Sequence, residues 1–592
     1  MLKRTLCMIL IVLMMISTAA CGGATPAETA APAATTAAPA ATTETTTAEA
    51  TTAEATTAEA TTAEAPEVKP VLELYTLDIM TNNDRPQSSD MTKVGKYIKD
   101  KFGIVVNYIP YSGDRQELQM VMLSSGDFAD VQSMEYERVN QAYIDAGVLV
   151  DLAPYLDSMP DFKRVFQTAI PYWTQSGHGK LVKWDVGVPM KGEADIEVQD
   201  MLVRTDILEF YKWPVLVSED DWVKFLKQAM IDFPKTDGMP TLGVASPFAE
   251  SWGLSAIANI MYEKGDKFVE LSNADLGILF DMKQEKFVDG FLEPSVQDSF
   301  KMLNRFYREG ILDVESLTDL GTNVDEKCMN GGAIAVYYMC WGANAYNENL
   351  VKNGHPERQY ITMPIQTNAQ VAGGEKRAIR TEDTRSFNGW GITTKCPYPE
   401  RVAELINWAC SDEGAIIYRS GFEGAEWEKN ASGERVFTTD RAATLRDAEV
   451  NKVLGTDSFE FLPYFNVLLS DGQFPNLLSH SKYYDQYVLT DRQKEAYAAL
   501  GFKNSKSWWV DNGFFAGTGL ANVIAMDPNT ELFDTSTKML ELRVKTTGAL
   551  ILAKTEAEYN KLFDEAKVQY EKLNHQAVVD EMNRLYQEKK IK

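Results

Sequence analysis

From Val71 onward, short β-prone apolar runs alternate with amphipathic helical stretches, and this alternation restricts the folded region more than any other feature. Val71–Leu77 (VLELYTL) reads as a first strand. A helix follows over Thr92–Phe102, where Val94, Ile98 and Phe102 recur four residues apart and Gly103 gives the stop. Ile104–Ile109 reads as a second strand, Glu117–Ser125 as a helix ended by Gly126, and Phe128–Val131 as the lead into a third strand. Strand and helix in alternation predict an open α/β sheet covered by helices. In such sheets ligands bind beyond the carboxyl ends of the strands, which directs attention to the loops Thr81–Arg85 and Ser133–Glu137.

The chain before this region reads differently. Lys3 and Arg4 precede an apolar run, Leu6–Ile16, and a run of small residues, Ser17–Ala20, ends at Cys21. This is the layout of a secretory signal, and the apolar run is too short for an ordinary membrane span. Small residues ending at a cysteine resemble a bacterial lipobox, with Thr18 where leucine is usual. Residues 1–21 are therefore expected to be a signal peptide and Cys21 a lipid-modified anchor. Residues 22–69 are Ala, Thr, Glu and Pro, with TTAEA repeated in tandem over Thr46–Ala65 and no aromatic residue. Such a segment cannot bury a core and is expected to be a disordered tether, with a root-mean-square reach on the order of 40 Å.

The formal charge of the chain is -27. Residues 70–592 keep 78 acids and 55 bases, a net of -23. That balance disfavours nucleic acid, which needs basic surface to neutralise phosphates. Cys328, Cys340, Cys396 and Cys410 are too few for a disulfide framework in a region of this length, although a single bridge among them stays open. Cys410, in the apolar stretch VAELINWAC, is expected to be a buried thiol.

Enzyme signatures are missing. His178, His355, His480 and His575 are far apart and show no zinc-type spacing. There is no G-x-S-x-G elbow. Gly177–Lys180 lacks the first glycine and the hydroxyl residue of a phosphate loop, and Asn522 stands where a dinucleotide fingerprint starting at Gly517 needs its third glycine. No catalytic residue, cofactor or metal is expected. Paired carboxylates of the glycosidase kind remain open, because so many acids offer accidental pairs.

GDFADVQSMEYERVNQAYIDAGVLVDLAPYLD (Gly126–Asp157) resembles the family-1 extracellular solute-binding proteins of bacteria. Leu202–Gln228 resembles that family's crossover into the second lobe. Phe306–Ala345 resembles its late helix, strand and ligand loop. Trp390–Glu428 and the C-terminal helices resemble the long, Gram-positive oligosaccharide-binding type. Several long relatives carry a DxDGxGxxDxxG calcium loop after the DDW helix; here Asp232–Pro240 has lost most of the oxygen ligands, and no ion is expected.

The resemblance implies two α/β lobes with a ligand cleft between them. Lobe 1 is expected over 70–195 and 366–425, and lobe 2 over 196–365 and 426–592, with crossings near 190–200 and 366–388. The implied function is reversible capture of a carbohydrate, longer than one sugar unit, and its delivery to the membrane permease subunits of an ABC importer. The protein would be a monomer held by its lipid anchor on the extracytoplasmic face of the cell membrane. A sugar needs flat aromatic surfaces for its C–H faces and polar groups for its hydroxyls. By position, the candidate ligand contacts are Asn82, Asp84 and Arg85 in the first loop, Tyr136, Trp252, Trp341, Trp390, Glu423, Trp427 and Trp508. Trp222 and Trp408, on amphipathic helices, are expected in the core. The rival readings are a binding protein for peptide or another polar solute and, in a different class, a surface glycan-cleaving enzyme.

Overall fold

The computed structural model describes residues 73–591, apart from 82–87, 112–114, 135–136, 168, 186, 189–199, 251–252, 255–264, 269–276, 381–388, 457, 466–467, 480–482, 517–520, 522–523, 525 and 527–529. The expectations for the signal peptide, Cys21 and the tether therefore lie outside the described residues. None of the described helices is long and apolar enough to cross a membrane.

The first strand, β1 (Tyr75–Thr81), starts four residues later than the apolar run and pairs in parallel with β2 (Ile104–Pro110) along its whole length. Between them the Thr92 hydroxyl accepts the Gly95 N–H and starts α1 (Lys93–Phe102), as an N-cap should. Val94, Ile98 and Phe102 line its buried face. Helix α2 (Arg115–Ser125), strand β3 (Val131–Met134) and helix α3 (Glu137–Asp145) continue the alternation, and β4 (Trp184–Asp185) ends this part of the chain.

The chain then enters a second sheet through β5 (Met201–Arg204). Helix α4 (Glu219–Asp232) begins with a reciprocal capping box between Ser218 and Asp221. Strand β6 (Leu242–Ala245), helix α5 (Pro294–Arg308), strand β7 (Ala333–Tyr337), helix α6 (Ala343–Lys352) and strand β8 (Tyr360–Met363) follow. Strand β9 (Arg377–Arg380) leaves this lobe, and β10 (Gly389–Ile392) returns to the first sheet. Helices α7 (Pro399–Ala409) and α8 (Asp412–Ser420) cover that sheet. The last elements are α9 (Ser507–Asn512), β11 (Gly513–Ala516), and the long helices α10 (Glu531–Ile551), α11 (Glu556–Lys572) and α12 (His575–Ile591).

The first sheet has the order β2-β1-β3-β10-β4, the second β8-β5-β7-β6. Strand β10 runs antiparallel to β3 and β4, and β5 runs antiparallel to β7 and β8. Each sheet has its own core. Leu77, Ile79, Ile98, Trp184, Trp390 and Phe461 belong to the first. Met201, Trp222, Phe300, Tyr337, Tyr570 and Met582 belong to the second, so the C-terminal helices complete lobe 2.

The two cores correct the expected lobe boundaries. Ile365 and Ala378 pack into the second core, so the return to lobe 1 falls at 381–388 and not at 366. Leu454, Phe459, Phe461, Leu462 and Leu469 pack into the first core, although the sequence leads one to expect 426–592 in lobe 2. The indole N–H of Trp184 donates to the Phe461 carbonyl, and the Tyr418 hydroxyl to that of Phe459, which fastens this segment to lobe 1. A further crossing therefore lies between Leu469 in the first core and Leu489 in the second. An apolar stretch announces that it will be buried; which of two sheets buries it depends on partners far away in sequence.

Two other expectations can be placed. Trp222 and Trp408 are core side chains. Cys328, Cys340, Cys396 and Cys410 are all free thiols, and burial pushes the Cys410 thiol well up.

Candidate functional site

Two of the crossings define where the lobes meet. The chain leaves lobe 1 at the carboxyl end of β4 and enters lobe 2 at Asp200, just before β5. It leaves lobe 2 after β9 and re-enters lobe 1 at Gly389, which lies opposite Met134 at the carboxyl end of β3. Only 381–388 separate β9 from β10, so those ends are within roughly 30 Å of each other. The carboxyl edge of the first sheet and the Asp200 edge of the second therefore each lie next to a crossing between the lobes.

The second-lobe wall is built outward from β7. All five residues of this strand are buried, and Tyr337 at its end pairs with Met201. The Ser246 hydroxyl donates to the Tyr337 carbonyl, which joins the end of β6 to the same edge. A turn at Cys340–Gly342 then leads into α6 and carries Trp341, which is 52% exposed. Its ring meets that of Tyr338 edge to face, with centroids 5.6 Å apart and planes at 87°. The turn can sit this low only because residue 342 lacks a side chain: a Cβ there would lie 2.3 Å from the Tyr346 ring. Fully buried Asp200 ties the wall together. Its carbonyl accepts the Tyr338 N–H at 3.2 Å, and its carboxylate accepts the Trp509 indole N–H. The Arg377 guanidinium lies 5.3 Å over the Trp509 ring. Strand β11 pairs in parallel with β9 beside this cluster, and Phe514 and Phe515 are exposed on it.

The first-lobe wall is polar. Gln132, Ser133 and Asn140 are buried beneath the β3 end, and both polar atoms of the Gln132 side chain lack a partner among the described residues.

Of the sequence candidates, Asn82, Asp84, Arg85, Tyr136 and Trp252 lie outside the described residues. Trp341 stands at the second-sheet edge, and Trp508, half-buried, joins the same cluster by packing edge-on against Trp509 at 4.6 Å. Two readings are corrected. Trp390 is 3% exposed, in the first core against Phe461, because the strand that carries it lies inside the sheet between β3 and β4. Trp427 is 6% exposed: it packs with Phe437 and Leu477 and gives its indole N–H to the Gly421 carbonyl. Glu423, on the preceding turn, is exposed and forms a backbone bridge to Trp427. Sequence reading missed Tyr338, Asp200, Arg377 and the Phe514–Phe515 pair. Only the last carries a local signal, two adjacent aromatics after Asn-Gly; the others are drawn in by contacts across the chain.

The Asp232–Pro240 segment forms a two-stranded hairpin, Lys235–Thr236 against Met239–Pro240. Asp237 and Gly238 both take positive φ, 50° and 85°, as a tight hairpin turn demands. Arg358 grips the Asp237 carboxylate with both guanidinium nitrogens, at 2.6 and 2.9 Å, and holds it below the usual carboxylate range. Among the described residues no group of three acidic, His or Cys side chains is arranged to hold a metal ion.

No protein family profile matches this sequence, and no curated protein matches it. Solved structures do. The alginate-binding protein AlgQ2 without calcium ion aligns over 87% of this chain and 98% of its own, with a TM-score of 0.58 and 15% identity. An HMO-binding, ABC-transporter-associated solute-binding protein from Bifidobacterium longum infantis aligns over 87% and 98%, at 0.57 and 14%. The Streptococcus pneumoniae ABC-transporter substrate-binding protein FusA, as an EF-hand mutant with fructo-nystose, aligns over 87% and 100%, at 0.58 and 15%. The fold is thus the two-lobed α/β fold of solute-binding proteins.

Proposed function

We propose that this protein is a family-1 solute-binding lipoprotein that captures an oligosaccharide outside the cell and delivers it to an ABC importer. The observation that carries the reading is Trp341. It is a half-exposed indole in the turn that follows β7, an inner strand of the second sheet, at that sheet's Asp200 edge. An exposed indole offers a flat apolar surface for the C–H face of a sugar. Support also comes from the solved relatives, among which are an alginate-binding protein, an HMO-binding protein and FusA in complex with fructo-nystose. The ligand is released intact, and no residue acts as a catalyst. Cys21 holds the protein to the membrane, and the acid-rich surface keeps nucleic acid away.

The test is a thermal-shift screen against gluco-, fructo-, manno-, galacto- and xylo-oligosaccharides, milk oligosaccharides and uronates, with dipeptides and oligopeptides alongside. A ligand that binds only the folded state raises the melting temperature. A shift with an oligosaccharide, recovered intact by mass spectrometry, is the expected outcome. A shift with peptides alone moves the protein to peptide capture, and reproducible cleavage products move it to the enzymes.

A further inference from the structure

We propose that Tyr338 is a positioning residue of the ligand site. Its ring braces the Trp341 indole, and a left-handed backbone at residue 338 is what places the ring there. The inference rests on the carbohydrate-binding reading above and adds to it the element that sets the angle of the stacking surface.

Tyr338 has φ +79°, the largest positive value of any non-glycine residue described. A bulky aromatic residue rarely adopts this region, and such a conformation persists only where the surroundings over-determine it. Here they do, from both sides. Tyr337 before it is fully buried in the second core. Met339 after it is 3% exposed and packs with Val324, Cys328, Tyr346 and Leu350 in a separate cluster. Two anchors on different sides of the sheet thus pin the residues that flank position 338. The Tyr338 N–H is held by the Asp200 carbonyl at 3.2 Å.

The backbone is therefore bent outward at 338, and the side chain emerges between the anchors, half-buried. The Cys340–Gly342 turn brings Trp341 back against it, ring to ring at 5.6 Å and 87°. A glycine would hold this backbone without strain, but it would supply no ring. An indole that is 52% exposed needs such a lateral contact to keep one orientation before ligand arrives. A fixed orientation lowers the entropy lost on binding.

The experiment is a double-mutant cycle, titrated calorimetrically with the oligosaccharide that gives the largest thermal shift on the unaltered protein. Tyr338→Phe, which keeps the ring, should bind within about twofold of the parent. Tyr338→Gly should weaken binding about three- to tenfold, the range expected from loss of one aromatic pair. Added to Trp341→Ala, Tyr338→Gly should weaken binding no further, because its effect passes through Trp341. The tryptophan fluorescence change on ligand addition should shrink in the glycine variant and persist in the phenylalanine one. Unaltered affinity in Tyr338→Gly overturns the inference. So does an equal loss with and without Trp341, which would make Tyr338 an independent contact. If the glycine variant fails to fold, Tyr338→Asn carries the same comparison, since asparagine tolerates the left-handed region. Binding that survives in all three variants, Trp341→Ala included, removes this wall from the site while leaving carbohydrate capture intact. A parent protein that binds no carbohydrate in the screen removes both.

Discussion

Trp341 follows a sheet strand and Trp390 lies within one, and their surroundings set opposite consequences for losing them. Trp341 is 52% exposed, so Trp341→Ala should leave the melting temperature nearly unchanged. It should weaken oligosaccharide binding by about 1–3 kcal/mol, roughly ten- to hundredfold, as loss of an aromatic anchor does. Trp390 is 3% exposed within the first core. Trp390→Ala should cost about 3–5 kcal/mol of stability, with affinity of the surviving folded fraction preserved. A melt and a titration on each variant check both statements. In the sequence the two look alike, each next to glycine at the end or start of an apolar strand. Burial separates them, and burial depends on whether the strand is flanked by others. Gly342 marks a third case: Gly342→Ala would drive a methyl group into the Tyr346 ring. It should displace the Trp341 turn and lower both stability and affinity.

At the level of elements, α12 is joined to lobe 2 partly through charge. The imidazole of His575 lies 3.0 Å from the Asp289 carboxylate, near Glu571 and against the ring of Tyr570, which the Arg543 guanidinium also approaches. The Asp289 carboxylate beside the ring raises the His575 pKa above its ordinary 6.5. A raised folded-state value means that the pair stabilises fully below the unfolded pKa and fades as pH rises through the folded one. His575→Ala should therefore lower the melting temperature more at about pH 5.5 than at about pH 8.5; an equal loss at both would refute the charge argument. The hairpin at 235–240 makes a related point about what holds a turn. Arg358 occupies the Asp237 carboxylate, so chelation should leave the melting temperature unchanged. A fall of several degrees, restored by added calcium, would show an ion elsewhere in the chain. The first three strands and both intervening helices were legible to within a few residues, because each carries its own period and cap. The Asp237–Gly238 turn was legible only as a lost ion loop, since its Arg358 partner is 121 residues away.

For the whole molecule, capture between two lobes predicts closure by a hinge motion. The radius of gyration measured by X-ray scattering should fall on addition of the binding oligosaccharide, and an unchanged value would count against enclosure. Cys21→Ala should release the protein from the membrane fraction into the medium. The sequence by itself determined the α/β class and the acidic balance that disfavours nucleic acid. These follow from periodicity and composition, which are local or summed properties. The tertiary structure alone decided that Leu454, Phe459, Phe461, Leu462 and Leu469 complete lobe 1 and that Trp390 and Trp427 are core. It also decided that Asp200, Tyr338 and Trp509 converge beside Trp341. Each of these depends on residues brought together across long stretches of chain, and the pattern around a single residue carries no record of which distant partner will cover it.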